Sequence, residues 1–575
     1  MSGDNFSPEQ QEYLKGFMSG VEARRGSLAP SAEPAPADAL GAAQARTQAA
    51  GGKLVAEEKA KADRNPLDRW PEVTARAAEG RFPKGVDVFL TKYHGLFYVA
   101  PAQDSFMCRL RIPGGILSAW QLAGVADIAE DCAGGYADIT TRANLQLREI
   151  PAAKGPEVVM RLGEIGLGPR GTGADNIRNI TASPTAGIDP QELIDSRPQV
   201  RALHHHILNT RDLYSLPRKF NIAVNGGGLV ETLEETNDIS LAAIGTPGGV
   251  AYRLGLGGIT GHQDFARGTG VVVAPADVVP VCDAILRVFI AHGDRTDRKK
   301  ARLKYLLDRW GLEKFLDETE ALLGRALTRV ATDAMHQPAP PAKHGHVGAH
   351  AQRQPGLNWI GIVVPVGRLA VAQLRGLADI ATCCGSGDIR LTVWQNLLLP
   401  DIPDARLAEA QDAIAALGLA TRASFLQGGL VACTGSAGSK FALAATKRHA
   451  REIGDFLDTC ITVDQPVNIH VTGCTNSCAQ HFVADIGLLG ARVEQGEDTV
   501  DGYDLHVGGG AGPEQRIGRL IRRGVPATDI APPILALLRA WMRDRAPGET
   551  LQAFTARFDD TTLAAMAEAA VLEDA

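Results

Sequence analysis

Residues Gly115–Ala129 (GILSAWQLAGVADIA) return as Gly367–Ala381 (GRLAVAQLRGLADIA), with nine of the fifteen positions identical. The offset of 252 residues, carried without a gap, also sets Thr140, Asn144, Leu145, Leu147, Ile150 and Pro151 against Thr392, Asn396, Leu397, Leu399, Ile402 and Pro403. Such a repeat constrains the fold strongly, because both copies have to bury the same face. Each copy reads as a strand, a helix of apolar period and a second strand ending in a polar loop. Weaker echoes follow: Ala182-Ser183 with Ala432-Cys433 at an offset of 250, and Asn221-Ile222-x-Val224-x-Gly226 with Asn468-Ile469-x-Val471-x-Gly473 at 247. There the copies diverge, since Cys433 stands where the first copy has Ser183. The expectation is divided labour: polar groups from the first half, a metal site from the second.

Between the copies, Gln337–Gln354 (QPAPPAKHGHVGAHAQRQ) has no apolar pattern and reads as a long connection. Near the N-terminus a short helix is expected around Pro8–Glu22. Residues 28–52, rich in Ala, Pro, Gly and Ser, read as an arm, and folded sequence is expected from about Trp70. A formal net charge of −7 excludes a generally basic, nucleic-acid-binding chain. No run of about 18 apolar residues suggests a membrane span. The start, MSGDNFSPEQQEYLKGF, has no apolar signal core, so the expected location is the cytoplasm.

Nine cysteines in 575 residues are too few for a disulfide scaffold. Three stand in suggestive spacing: Cys474-Thr-Asn-Ser-Cys478 is C-x3-C, and Cys433 lies upstream in Val431-Ala-Cys433-Thr-Gly-Ser-Ala-Gly-Ser439-Lys. Soft thiolates so spaced, among small residues that let the backbone approach, suit an iron–sulfur cluster, although buried structural thiols would give the same spacing. Cys108, Cys132, Cys282, Cys383, Cys384 and Cys460 have no ligand spacing and are expected as buried free thiols. His204-His-His206 reads as a helical segment rather than a metal tract. Gly508-Gly-Gly510 reads as a turn rather than a phosphate loop.

The cysteine segments, together with Phe106-Met-Cys-Arg109-Leu-Arg111-Ile-Pro, Thr140-Thr-Arg142-Ala-Asn-Leu-Gln146, Asp175-Asn-Ile-Arg178-Asn179 and Leu216-Pro-Arg218-Lys219-Phe-Asn221, resemble the nitrite/sulfite reductase family over roughly residues 80–535. The resemblance implies a sirohaem and a [4Fe–4S] cluster. Cys433, Cys474 and Cys478 take cluster-ligand positions, with Cys478 also bridging to the sirohaem iron. Ser439 falls where the family has its remaining Cys. Arg109, Arg142, Lys219 and Asn221 take the anion pocket, where cations stabilise charge that develops as bonds to oxygen break. Arg111 and Arg178 are assigned to the sirohaem carboxylates.

Lys219-x-Asn221 resembles the nitrite reductases, whereas sulfite reductases tend to have a second Lys. The implied reaction is therefore six-electron reduction of nitrite to ammonia, with sulfite as the alternative substrate. A precorrin-3B synthase-like enzyme is a further alternative, as is a non-catalytic sirohaem-binding paralogue because of Ser439. No flavin- or nicotinamide-binding fingerprint is present, so electrons are expected from a separate ferredoxin-type protein. Arg295–Lys304 and Arg516–Arg523 are candidate docking faces, each also readable as an exposed amphipathic helix. The implied fold is α+β, with two ferredoxin-like half-domains (80–155 and 355–405) and two larger α/β cofactor-binding domains (156–336 and 406–575) about a pseudo-two-fold. Residues 1–79 form the N-terminal helix and arm, and 337–354 the linker.

Overall fold

The structure is a computed structural model that describes residues 38–568 together with Glu12, Lys15, Gly16, Met18 and Ser19. The helix expected around residues 8–22 lies mostly outside the described residues; its five described positions are helical.

Four five-stranded sheets, two from each half, carry the fold. Strands β1 (Leu96–Tyr98), β2 (Phe106–Arg109), β5 (Leu145–Ile150) and β4 (Tyr136–Ile139) line up in that spatial order, and the sheet is completed by β13 (Arg368–Ala370) from the second half. The second sheet answers it. Strands β11 (Gly348–Ala351), β12 (Leu357–Ile362), β15 (Leu397–Pro403) and β14 (Asp388–Leu391) are completed by β3 (Ile116–Ser118) from the first half. The half-domains therefore exchange strands: Leu369 sits opposite Ala137, and Leu117 opposite Ile389.

The repeated segment explains the exchange. Each traded strand runs directly into one of two helices, Ala119–Cys132 and Val371–Cys384, which pack on each other. Ser118 caps the first, its hydroxyl accepting from Gln121 N at 3.3 Å. The glycine that opens each copy has a left-handed backbone, φ 76° at both Gly115 and Gly367. A Cβ there would lie 2.5 Å from Leu391 O or 2.7 Å from Ile139 O, so only glycine lets the halves approach this closely.

The larger domains each hold a mixed sheet. In the first half it runs β10 (Arg267–Val273), β9 (Gly249–Leu256), β8 (Ile239–Thr246), β7 (Ile222–Asn225), β6 (Thr181–Ala182). In the second it runs β16 (Leu430–Ala432), β17 (Ile469–Thr472), β18 (Ile486–Gln495), β19 (Asp498–Val507), β20 (Arg519–Pro526). Where β6–β7–β8 and β16–β17–β18 run parallel, as far as Ala242 and Leu489, they are almost wholly buried, as parallel strands require. The duplication reaches single hydrogen bonds: Asn221 N donates to Asp238 Oδ2 at 2.8 Å and Asn468 N to Asp485 Oδ2 at 2.7 Å.

Several expectations are corrected. Ordered structure begins well before Trp70, with helices Ala39–Ala49 and Ala56–Asp63 inside the stretch read as an arm. The first packs on helix Val278–His292, and the second is anchored by charge rather than by an apolar stripe. Buried Lys61 pairs with Glu58 and, at 3.3 Å, with Asp175; Arg295 pairs with Glu58 at 2.7 Å and Arg298 with Asp175 at 2.7 Å. This network also removes Arg295–Lys304 as a free basic helix, since Arg295 is buried and Arg302 pairs with Asp238 at 2.6 Å. Arg516–Arg523 runs into strand β20 and is not a helix. The expected connection contributes β11 at its C-terminal end. Cys383 is exposed rather than buried. His204–His206 lies, as expected, in a helix, Arg197–Asn209, with His206 Nε2 on Asp283 Oδ1 at 2.8 Å.

Asp138, on the strand that receives β13, gathers three cations from both halves: Arg368 at 2.9 Å, Arg148 at 3.2 Å and Lys447 at 3.7 Å. Removing a buried carboxylate strands its partners, at a cost of about 3 kcal/mol or more. Asp138→Ala is therefore expected to lower the thermal unfolding midpoint by several degrees. An unchanged midpoint in scanning calorimetry would mean the cluster does not hold the exchanged strands.

Candidate active site

Cys433 directly follows β16, and Cys474 and Cys478 follow the neighbouring parallel strand β17, so all three lie beyond the carboxyl ends of adjacent parallel strands, where open sheets leave a crevice. Cys433 N donates to Val471 O at 3.1 Å, tying the two loops together, and Gly473 N donates to Cys433 Sγ at 3.2 Å. Burial raises the thiols of Cys433 and Cys474, and the neighbouring Cys478 adds to the effect in both. Bare thiolates are thus disfavoured here unless a positive centre neutralises them. Among the described residues, no three His, Cys, Asp or Glu side chains converge on one ion.

Ser439 closes the loop that starts at Cys433. That loop is gripped from the first half by buried Arg148, which donates to Thr434 Oγ1 at 2.6 Å and Gly438 O at 3.3 Å. The Cys478 loop is gripped likewise, Thr141 Oγ1 donating to Cys478 O at 2.8 Å. Thr141 sits in the turn that carries Arg142, so the same turn places a cation and fixes a cysteine.

Facing Cys478 is a wall of cations. Arg109 ends β2, lies over the Phe97 ring at 4.7 Å, and among the described residues reaches only a distant carbonyl, Thr172 O at 3.5 Å. Arg142 donates to Asn237 Oδ1 at 3.2 Å and, with the Asn221 amide turned to suit its neighbours, to Asn221 Oδ1 at 2.7 Å. Lys219 has no acceptor or carboxylate partner among the described residues. Burial lowers the pKa of Arg109 and of Arg142 to about 10, and Cys478 opposes the shift in both. Lys219 is pushed well down by burial and by Arg302, Arg178 and Arg218, again opposed by Cys478. Arg178 donates to Thr172 O and, at 2.8 Å, to Ala174 O; burial and the cations Arg109, Arg142 and Arg218 depress it strongly.

Arg109, Arg142 and Lys219 thus face Cys478, with Asn221 against Arg142 and Arg178 beside the two arginines. Arg111 is placed otherwise. Its guanidinium is spent on three backbone carbonyls, Arg170 O (3.2 Å), Arg178 O (3.1 Å) and Ile177 O (2.7 Å), so it shapes the loop that carries Arg178. Sequence reasoning missed Arg148, Thr141 and Asn237, none of which has a local signal: each acts through a contact distant in sequence. Asp238 was also missed, although its counterpart Asp485 stands at the same offset as Asn468 from Asn221.

The duplicated position opposite this site is filled by protein. At the offsets above, Trp394 corresponds to Arg142 and Glu231 to Cys478, and Trp394 Nε1 donates to Glu231 O at 3.1 Å. The connection threads in beside them. Lys343 pairs with Asp485 at 2.6 Å, His344 meets Asn468 Oδ1 at 2.9 Å, and His346 stacks on Trp394 at 5.4 Å. Burial and Glu234 raise Glu231 to a pKa of about 7, and burial, Glu234 and Glu231 raise Glu235 to about 8.

Known proteins bear on this geometry. Residues 173–327 and 429–561 match the family described as "Nitrite and sulphite reductase 4Fe-4S domain", and residues 99–165 and 350–417 match "Nitrite/Sulfite reductase ferredoxin-like half domain". The chain belongs to the nitrite/sulfite reductase family. It is 38% identical over 455 residues to a ferredoxin–nitrite reductase of Synechococcus elongatus, covering 78% of this chain and 88% of that protein. It is 34% identical to a sulfite reductase [ferredoxin] of Mycolicibacterium paratuberculosis, covering 80% and 83%. The solved structure of the Mycobacterium tuberculosis NirA protein superposes with a TM-score of 0.84 at 30% identity, covering 89% of this chain and 98% of that one. This reductase is an oxidoreductase with the duplicated α+β fold of its family, and among its described residues no helix is long and apolar enough to cross a membrane.

The raised carboxyls make stability pH-dependent. Their folded pKa exceeds the unfolded value of about 4.3, so their contribution is fully present below that pH and lost as pH rises through 7 and 8. Glu235→Gln is expected to flatten the fall in thermal midpoint between pH 6 and 9. An equally steep fall would show that Glu235 is ionised throughout.

Proposed function

We propose that this reductase converts nitrite to ammonia with six electrons from an external ferredoxin-type donor, at a sirohaem linked through Cys478 to an iron–sulfur cluster. The observation that carries the reading is the set of half-buried cations beside Cys478 that have no carboxylate partner among the described residues: Arg109, Arg142 and Lys219 call for an anion. Cys433, Cys474 and Cys478 would hold the cluster, with Ser439 at the fourth position. Together the two groups supply electrons one at a time to a reducible ligand.

The chain's own residues do the rest. Arg109 and Arg142 bind the oxyanion and stabilise the charge that moves onto oxygen. Asn221 and Asn237 orient Arg142. Lys219, a cation that burial makes a readier acid, donates a proton to the departing oxygen. The donor protein docks beside the cysteine loops, where Lys440, Phe441 and Leu443 are exposed, Phe441 at 60%.

Asn221 favours nitrite over sulfite because its amide is engaged with Arg142. Asn221→Lys sets a second cation against that arginine, which a dianion tolerates better than a monoanion. The ratio of kcat/KM for sulfite over nitrite is expected to rise at least tenfold, about 1.4 kcal/mol. The reading itself is tested by anaerobic purification with sirohaem supplied, followed by absorption and EPR spectra and steady-state rates with both anions. A colourless protein without acid-labile sulfide sinks it.

Ser439 favours a second reading, a cofactor-binding member impaired in turnover. A serine hydroxyl is a harder donor and gives up its proton less readily than a thiol. Ser439→Cys is expected to raise iron and sulfide per chain severalfold and activity with them, whereas Ser439→Ala does not. If the native chain already holds a full cluster and Ser439→Cys gains nothing, serine or another group is a competent ligand.

A further inference from the structure

Two thiols side by side in the sequence, Cys383 and Cys384, have no part in the chemistry around Cys478. They end helix Val371–Cys384, and Gly385 then leaves helical geometry at φ −129° and ψ −154°. Cys384 is 3% exposed and belongs to the core that joins the half-domains, whereas Cys383 is exposed. Successive side chains on a helix do not ordinarily face each other, yet these two sulfurs lie 3.2 Å apart. The peptide between them is held from outside the helix. The Cys383 carbonyl accepts from the Arg406 guanidinium, itself paired with Glu409 at 2.6 Å, while Gly387 N donates back to Ala381 O at 2.9 Å. That peptide is therefore free of the helical ladder on its carbonyl side and turns readily as the sulfurs close.

The duplication supplies a comparison within the chain. At the offset of 252, Cys384 corresponds to Cys132 and Cys383 to Asp131. Cys132 ends its own helix, is 2% exposed, and its thiol donates to Glu157 Oε1 at 3.3 Å. The core thus takes one small thiol at this place in each half. The exposed neighbour is a thiol only in the second half, and packing does not account for it.

We propose that Cys383 and Cys384 are a peroxide-sensitive dithiol, closed by two-electron oxidation into a disulfide between neighbours. The exposed Cys383 thiolate attacks one oxygen of hydrogen peroxide; an S–O bond forms, the O–O bond breaks, and hydroxide leaves with the thiol's proton as water. The Cys384 sulfur then attacks the Cys383 sulfur. The S–S bond forms, the S–O bond breaks, and the Cys384 proton departs with that oxygen as a second water. Two thiols and one peroxide give one disulfide and two waters. Burial, with Cys383 adding, pushes the Cys384 thiol up to about 11, so Cys384 resolves the sulfenic acid rather than attacking peroxide first. The step uses none of the cysteines at the cluster positions.

The full chain, purified anaerobically, is exposed to hydrogen peroxide, alkylated in denaturant and digested with trypsin. Residues 376–390 form one peptide that carries Cys383 and Cys384 and no other cysteine, and residues 112–142 form another with Cys132 alone. Peptide 376–390 is expected to escape alkylation and to weigh about 2 Da less than its dithiol form, reversibly with dithiothreitol. Cys132 should stay alkylatable, oxidising at least roughly tenfold more slowly. Cys383→Ser, at an exposed position, should abolish the mass loss and leave Cys384 a free thiol. Cys384→Ser should leave Cys383 as a sulfenic acid that dimedone captures. Two alkylatable thiols in peptide 376–390 after treatment overturn the proposal. Equal rates for the two peptides overturn it as well, because the pair then has no special reactivity. A disulfide-linked dimer on a non-reducing gel, removed by Cys383→Ser, also overturns it, by assigning Cys383 to a bond between chains.

Discussion

Positive charge buried without a partner is costly, because burial removes the water that would screen it. Four cations on the Cys478 side, Arg109, Arg142, Arg178 and Lys219, live under that constraint, and the surrounding structure reads as the means of holding them in place. Backbone carbonyls of residues 172 and 174 receive Arg178, and the ring of Phe97 lies under Arg109. Asn221 and Asn237 fix Arg142 without neutralising it. Carboxylates are kept one layer back: Asp175 pairs with Lys61 and Arg298, and Asp238 with Arg302, so the inner wall stays electropositive. The buried N-terminal helices belong to this scheme, since Glu58 and Lys61 complete the outer layer.

The duplication shows how one scaffold came to hold unlike chemistries. The hydrogen bond from Asn221 to Asp238 recurs from Asn468 to Asp485. Onto this common frame the first half places Arg142 and the second Trp394; the second places Cys478 where the first has Glu231. Charge and thiol meet at one of the two equivalent positions. At the other, acids, an indole and the side chains of Lys343, His344 and His346 pack against one another and leave the duplicate site closed.

Much of this was legible in the sequence because it is written in local runs. The repeat at 252 residues announced paired half-domains, and the segments around Arg109, Arg142, Lys219 and Cys478 announced the site. What could not be read lies in contacts made at a distance. Arg148 reaches across 290 residues to Gly438, and Thr141, although it stands inside the Arg142 segment, shows nothing of its reach across 337 residues to Cys478. The helix Ala56–Asp63 escapes a reading by periodicity because ion pairs, not an apolar stripe, anchor it. Arg295–Lys304 misled for the opposite reason: a run of cations looks exposed until the buried acids that pair with it are known.

The traded strands bear on how the chain is made. During synthesis the first half-domain emerges with β4 as a bare edge, and that edge finds β13 only after residue 370 has left the ribosome. For over two hundred residues of elongation an open strand invites pairing with a wrong partner, another nascent copy included. The two halves therefore cannot mature in turn, and a fragment cut anywhere in the connection should be insoluble rather than merely inactive. The exchanged strands make one folding unit of a sequence that is visibly two.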